Sequence, residues 1–211
     1  MSAPVRRGRP GHSLESLLDV AVAVFNERGY EATSMDELAA RLGVTKSAIY
    51  HHVPSKVELL RLALDRALDA LSAVTTEPGA TSGPAIDRLE HVVRGSVRVL
   101  GAQLPYVTLL LRVRGNSAVE RAALLRRRAF DRFVTELVRA AAAEGDVRPD
   151  VDPAVTSRLL FGAVNSLTEW YRPGRGTDGG LTPDALADAL VTTTFRGLRT
   201  VPDEPAAGRR P

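Results

Sequence analysis

Between positions 45 and 51 the chain places Thr45, Lys46, Ser47, Tyr50 and His51, side chains that donate or accept hydrogen bonds, on one short stretch. Groups of this kind suit phosphate oxygens and the edges of bases. Lys46 and Lys56 are the only lysines in the chain, and residues 43–57 hold no acid. A second set lies between positions 110 and 140: Arg112, Arg114, Arg121, Arg126, Arg127, Arg128, Arg132 and Arg139, against the acids Glu120, Asp131 and Glu136. The planar guanidinium fork matches phosphate and carboxylate. Both sets can do recognition chemistry. The arginine set reads either as a solvated helix face or as the wall of an anion site.

Bond-breaking chemistry has much less to stand on. No pair of carboxylates converges at a recognisable spacing, and neither a G-x-x-x-x-G-K nor a G-x-S-x-G motif occurs. The histidines are His12, His51, His52 and His91. The adjacent His51 and His52 leave a helix on different sides, so they do not share a metal. Gly174 to Gly179 satisfies G-x-G-x-x-G, but a helical pattern precedes it and Pro173 breaks the chain there. A dinucleotide fingerprint needs a strand before it and a helix opening within it. A nucleotide-dependent enzyme rests on that match alone. No catalytic residue, cofactor or metal is expected.

The elements that must carry these residues are helices. Ser34 and Glu37 form an S-x-x-E capping box, so a helix starts at Met35. Its apolar face is Met35, Leu38, Ala39 and Leu42, and Gly43 can end it in a left-handed conformation. Thr45 caps the next helix, in which Ala48 and Ile49 point inward, and Pro54 closes it. Two short helices around a glycine turn form a helix-turn-helix, the unit that lays a recognition helix in the major groove. A supporting helix precedes it from Ser13 to Arg28, with Leu14, Leu17, Leu18, Ala21 and Phe25 on one face. Arg6, Arg7 and Arg9 make residues 1–12 a flexible basic arm that can reach phosphates or the minor groove.

Downstream, a second capping box at Ser55 and Glu58 opens a helix from Lys56 to about Ala73, roughly 27 Å long and able to join two domains. Its N-terminus and Lys56 make a candidate phosphate clamp. Residues 77–83 read as a loop. Pro84 opens a helix that Gly101 stops, and a short apolar helix runs from Pro105 to about Val113. Ser117 and Glu120 cap a long helix to Glu144. Pro153 and Pro183 open the last two helices, ending near Tyr171 and Arg199, and the tail from Val201 reads as disordered. These two helices carry more apolar surface than one face needs, which marks them as central or shared with a partner.

The expected fold class is all-α: an N-terminal three-helix DNA-binding domain with the helix-turn-helix over 13–54 and a C-terminal helical domain over 55–200, to which the resemblance given next assigns ligand binding and dimerisation. The 211 residues are 44% hydrophobic and 25% charged, a globular composition. The chain has no cysteine, no apolar run long enough to span a membrane and no apolar signal core behind its basic start. It is expected in the cytoplasm, with no membrane partner. Its net charge of +3 says little, since positive and negative residues balance over 1–60.

Residues 29–60, with Gly29-Tyr30 through Ser34-Met35-Asp36-Glu37-Leu38-Ala39 to Tyr50-His51-His52-Val53-Pro54-Ser55-Lys56, resemble the DNA-binding domain of TetR-family transcriptional regulators. The likeness runs from about Leu14 to Leu60 and departs from the family at Val53-Pro54. It implies a homodimeric repressor on a palindromic double-stranded DNA operator, released by a small-molecule effector. Its DNA contacts would come from Arg6, Arg7, Arg9, Ser34, Thr45, Lys46, Ser47, Tyr50, His51 and Lys56. Its dimer interface would come from the last two helices, through Leu160, Val164, Leu186, Leu190 and Phe195. The expected effector site combines Leu104, Tyr106, Val107, Leu110, Phe130, Phe133, Phe161, Asn165 and Trp170 with Arg112, Arg126, Arg127 and Arg128. Residues 169–174 and 111–116 also resemble a TetR subgroup that senses acyl-CoA thioesters of catabolic pathways. A neutral hydrophobic or drug-like effector is the other class left open.

Overall fold

Helix starts are set by side chains that satisfy the free N–H groups of the first turn. Ser13 caps α1 (Leu14–Arg28), Ser34 caps α2 (Met35–Leu42), Thr45 caps α3 (Lys46–Tyr50) and Ser55 caps α4 (Lys56–Val74). After α5 (Pro78–Thr81), α6 (Ala85–Ala102) and α7 (Leu104–Arg112), Ser117 caps α8 (Ala118–Glu144). Asp152 caps α9 (Pro153–Trp170) and Thr182 caps α10 (Pro183–Val191), which runs into a π-helical turn, Thr192–Arg196. The structure is a computed structural model and describes residues 13–173 and 181–197, among which there is no strand. The arm with Arg6, Arg7 and Arg9, the glycine motif at 174–179, the expected end of the last helix at Arg199 and the tail lie outside the described residues.

Only one of the three capping boxes closes in both directions. Ser117 and Glu120 each hold the other's backbone N–H, at 2.9 and 3.2 Å. At Ser34 and Ser55 the serine half forms, but the glutamates turn to arginines: Glu37 to Arg28 at 2.7 Å, Glu58 to Arg61 at 2.5 Å. A guanidinium within reach is a stronger partner than one backbone amide.

Two further expectations change. Residues 77–83 contain the short helix α5. Gly101 does not stop α6; the helix runs on to Ala102. A Cβ at Gly101 would stand 2.6 Å from Pro183 Cγ, so this glycine lets α10 approach α6 closely. Arg98–Asp184 at 2.6 Å and an Arg94–Asp188 pair fasten the same two helices.

The apolar core runs unbroken from α1–α3 through α4 and α7 to α9 and α10, with Phe25, Leu38, Ile49, Leu60, Leu64, Leu110 and Val164 along it. A second cluster, including Val74, Leu89, Val138 and Leu160, fills the far end of the helical body. The α1–α3 head is therefore packed onto the body, with α4 as the shared element.

Candidate nucleic-acid interface and ligand cleft

The head presents α3 as expected. Thr45 Oγ1 accepts from Ala48 N at 3.2 Å, so its hydroxyl hydrogen stays free to donate. Gly43 takes a left-handed φ of 67°, ending α2 and turning the chain into α3. Ile49 is buried and Ala48 half-buried, while Lys46, Ser47, Tyr50 and His51 are exposed. Ser34 is exposed at the start of α2. Lys46 Nζ meets Asp36 at 2.9 Å, and this hydrogen bond is the first cause of its raised pKa. Both partners lie in solvent, where a phosphate can take the place of Asp36.

Lys56 departs from expectation. Its ammonium donates to the carbonyls of Thr33 at 2.7 Å, Tyr30 at 2.9 Å and Glu31 at 3.4 Å, and sits 4.4 Å from the Tyr30 ring centroid. Those carbonyls lie in the turn between α1 and α2, and a cation directly satisfies them. In this geometry Lys56 is a strut of the head rather than a free phosphate clamp. Replacing Lys56 with alanine should lower stability by about 1.5–3 kcal/mol, the scale of charge-assisted hydrogen bonds, seen as a lower Tm. Operator affinity of the folded protein and its salt slope should hold. Unchanged stability with a flatter slope would restore the clamp.

The expected effector residues divide into three groups. Tyr106, Arg112 and Arg126 tie elements together. Tyr106 donates its hydroxyl to Asp19 at 2.5 Å and receives Arg66 at 3.2 Å, joining α7 to α1 and α4. Burial, then the bond to Asp19, pushes its phenol pKa well up, so it remains a donor. Arg112 donates to the Asn26 carbonyl at 2.6 Å. Arg126 reaches Asp65 at 3.0 Å and Asp69 at 2.5 Å, joining α8 to α4. Leu104 and Phe133 pack against the core clusters, and Trp170 stands 54% exposed at the end of α9; none of the three lines the cavity.

The third group does converge. Val107, Leu110, Phe130, Phe161 and Asn165 line a small slot of about 40 Å³ with Leu71, Leu100 and Val164. Phe130 and Phe161 meet edge to face, 5.2 Å between centroids. The slot shares lining residues with a cleft of about 630 Å³ between α8 and α9, walled by Arg127, Arg128, Arg132, Arg139 and Arg158. Of these, Arg139 pairs with Glu136. Among the described residues, no carboxylate lies within 4.0 Å of Arg127, Arg128, Arg132 or Arg158. Sequence reasoning missed Arg158, which lies one helix away from the arginine-rich stretch and meets it only through the fold.

The expected interface residues lie against the chain's own core. Leu160, Val164 and Leu186 are buried within the single chain, and Leu190 and Phe195 pack half-buried on its core. The uncovered apolar residues of α9 are instead Val155, 51% exposed, and Leu159, 70% exposed, continuing through exposed Gly162 and Ser166 to Trp170. Their spacing puts them on one helix face.

An all-helical chain with a helix-turn-helix head and a cleft in its helical body is the architecture of a ligand-binding DNA regulator. The chain belongs to the TetR family: residues 17–63 match the model of bacterial regulatory proteins of the tetR family, and residues 82–198 that of the tetracyclin repressor-like C-terminal domain. It is thus a DNA-binding regulator, not an enzyme. SCO3833 of Streptomyces coelicolor A3, a member of the TetR transcriptional regulator family, is 52% identical, with a TM-score of 0.83 over 92% of this chain and 94% of that one. The HTH-type transcriptional repressor KstR2 of Rhodococcus jostii strain RHA1 is 29% identical over 90% of this chain and 93% of its own. The crystal structure of AibR with isovaleryl coenzyme A and operator DNA is 26% identical, with a TM-score of 0.72 over 86% of this chain and 97% of that one. Among the described residues no helix is long and apolar enough to cross a membrane.

Proposed function

We propose that the protein is a homodimeric repressor that binds a near-palindromic operator through α3 and releases it when an acyl-CoA thioester occupies the α8–α9 cleft. The observation that carries the effector class is the set of four arginines with no carboxylate within 4.0 Å among the described residues, beside an apolar slot. Guanidinium forks bind phosphate oxygens in pairs, so the cleft suits the phosphates of coenzyme A and the slot its acyl end. At about 40 Å³ the slot holds roughly two or three water-sized groups. A larger acyl group enters by swinging Phe130 and Phe161 apart. The relative that holds isovaleryl coenzyme A and operator DNA together supports this reading.

Release needs a link from cleft to α3. Arg127 lines the cleft and Arg126 beside it grips Asp65 and Asp69 of α4, whose first residue follows the α3 turn closely. A shift of α8 therefore turns α4 and with it the head. Coupling of this kind amounts to about 1–3 kcal/mol, or 5–150-fold in operator affinity. The two α3 helices of the dimer would sit about 34–36 Å apart, or a multiple of that. The dimer face is Val155, Leu159 and Trp170 of α9. The protein works in the cytoplasm, where operator and thioesters meet.

Calorimetric titration checks the effector class. The ligands are isovaleryl-, hexanoyl-, octanoyl- and benzoyl-CoA, their free acids, coenzyme A alone and uncharged hydrophobes. At least one thioester should bind at least about tenfold more tightly than its acid or coenzyme A, and Arg127→Ala with Arg128→Ala should remove about 2 kcal/mol or more of that affinity. Binding of an uncharged hydrophobe with no thioester binding would point to the neutral class instead.

A further inference from the structure

Four residues line both the slot and the cleft: Arg127, Asp131, Phe161 and Asn165. They stand between the two cavities, and on the acyl-CoA reading they are the neck that the acyl end passes. We propose that Asp131 is the specificity residue of this site, excluding free carboxylic acids while admitting the neutral thioester carbonyl of the same acyl group. The inference rests on the acyl-CoA reading above.

Local charge decides which ligand is admitted. An acyl chain seated in the slot places its carbonyl carbon at the neck. In a free acid that carbon carries a carboxylate; in a thioester it carries a neutral carbonyl and the chain continues outward. Arg127 alone at this point would welcome a carboxylate. Asp131 lies beside it, with no direct ion pair to any arginine within 4.0 Å among the described residues, but close enough to feel both Arg127 and Arg158. Partial burial holds the Asp131 carboxyl pKa above its usual value, and Arg127 and Arg158 offset part of that rise. An ionised Asp131 cancels the attraction of Arg127 and repels a second carboxylate placed at the neck. The Asn165 amide can still donate to a neutral carbonyl.

Farther out the balance reverses. Arg128, Arg132 and Arg139 face the cleft there with only Glu136 against them. The neck is thus less positive than the cleft beyond it. That distribution favours a ligand whose charge begins well away from its acyl group. Discrimination of this kind comes from placing a repulsive element against the wrong ligand.

The test compares wild type, Asp131→Asn and Asp131→Glu by titration calorimetry, using isovaleryl-, hexanoyl-, octanoyl- and benzoyl-CoA and the four matching acids. Asp131 borders the open cleft and its side chain holds no hydrogen bond among the described residues, so both variants should match wild type in Tm. In the asparagine variant the acid matching the tightest thioester should bind about tenfold more tightly, because removing one like charge near a partly buried site changes affinity on that scale. Thioester affinity should stay within about threefold, and the glutamate variant should keep rejecting acids. If wild type binds a thioester and the asparagine variant rejects acids as strongly as before, or loses the thioester too, the role of Asp131 is wrong and the cleft reading survives. If wild type binds no thioester, both fall.

Discussion

Replacing Leu159 with arginine should convert the dimer into monomers and abolish operator binding at concentrations where wild type is fully bound. Leu159 is 70% exposed in the single chain, so the variant chain folds as before. In the dimer the same position would bury a guanidinium without a partner, a defect that costs about 3–5 kcal/mol, and two-fold symmetry applies it twice. Each head then binds its half-site alone. Linking two binding modules raises overall affinity by about 10²–10⁴, and that factor disappears. Light scattering gives the mass and anisotropy of a labelled duplex gives the affinity. A dimer that persists, with operator bound, would move the interface off this face of α9. Leu160→Arg makes the contrast: Leu160 is buried in the far core cluster, so this change should unfold the chain rather than split a dimer.

Tyr50→Ala and Thr45→Ala should each weaken operator binding by about 1–3 kcal/mol, the scale of a specific base contact. Tyr50 is exposed on α3 with its ring and hydroxyl free of the core. Thr45 both caps α3 and offers its hydroxyl hydrogen outward, so its loss adds a capping cost of about 1 kcal/mol to the lost contact. The two variants should differ accordingly: Thr45→Ala lowers Tm, Tyr50→Ala does not. Lys46→Ala should act differently again, weakening binding to all duplexes alike and reducing the salt slope by about one. If Thr45, Lys46 and Tyr50 variants all bind like wild type, α3 is not the recognition helix.

The sequence made the helix starts legible because capping is local chemistry. Ser13, Ser34, Thr45, Ser55, Ser117, Asp152 and Thr182 all cap in the structure, and each can be read from a few residues. What a helix packs against is not local. Leu159 and Leu160 are neighbours of the same type, about 100° apart around α9, and only the fold decides which one faces the core. The run Arg126-Arg127-Arg128 shows the same limit. Its members leave α8 in three directions, so Arg126 grips α4 while Arg127 and Arg128 face the cleft. Gly101 read as a stop because glycine ends many helices, yet its lack of a Cβ serves α10, some eighty residues away. Lys56 read as a free charge because the carbonyls of residues 30–33 that hold it carry no signature of their own.

The claim that joins head and body is that a thioester in the α8–α9 cleft loosens the grip of α3 on DNA. It is tested most directly by selecting an operator from random duplexes, labelling it, and following anisotropy as the tightest-binding thioester is added. Operator affinity should fall by about 5–150-fold, with free acid and coenzyme A inactive, and the fall should vanish when Arg127 and Arg128 are both alanine. Operator that stays bound while the cleft is saturated would contradict the account, as would release by an uncharged hydrophobe to which every thioester is indifferent.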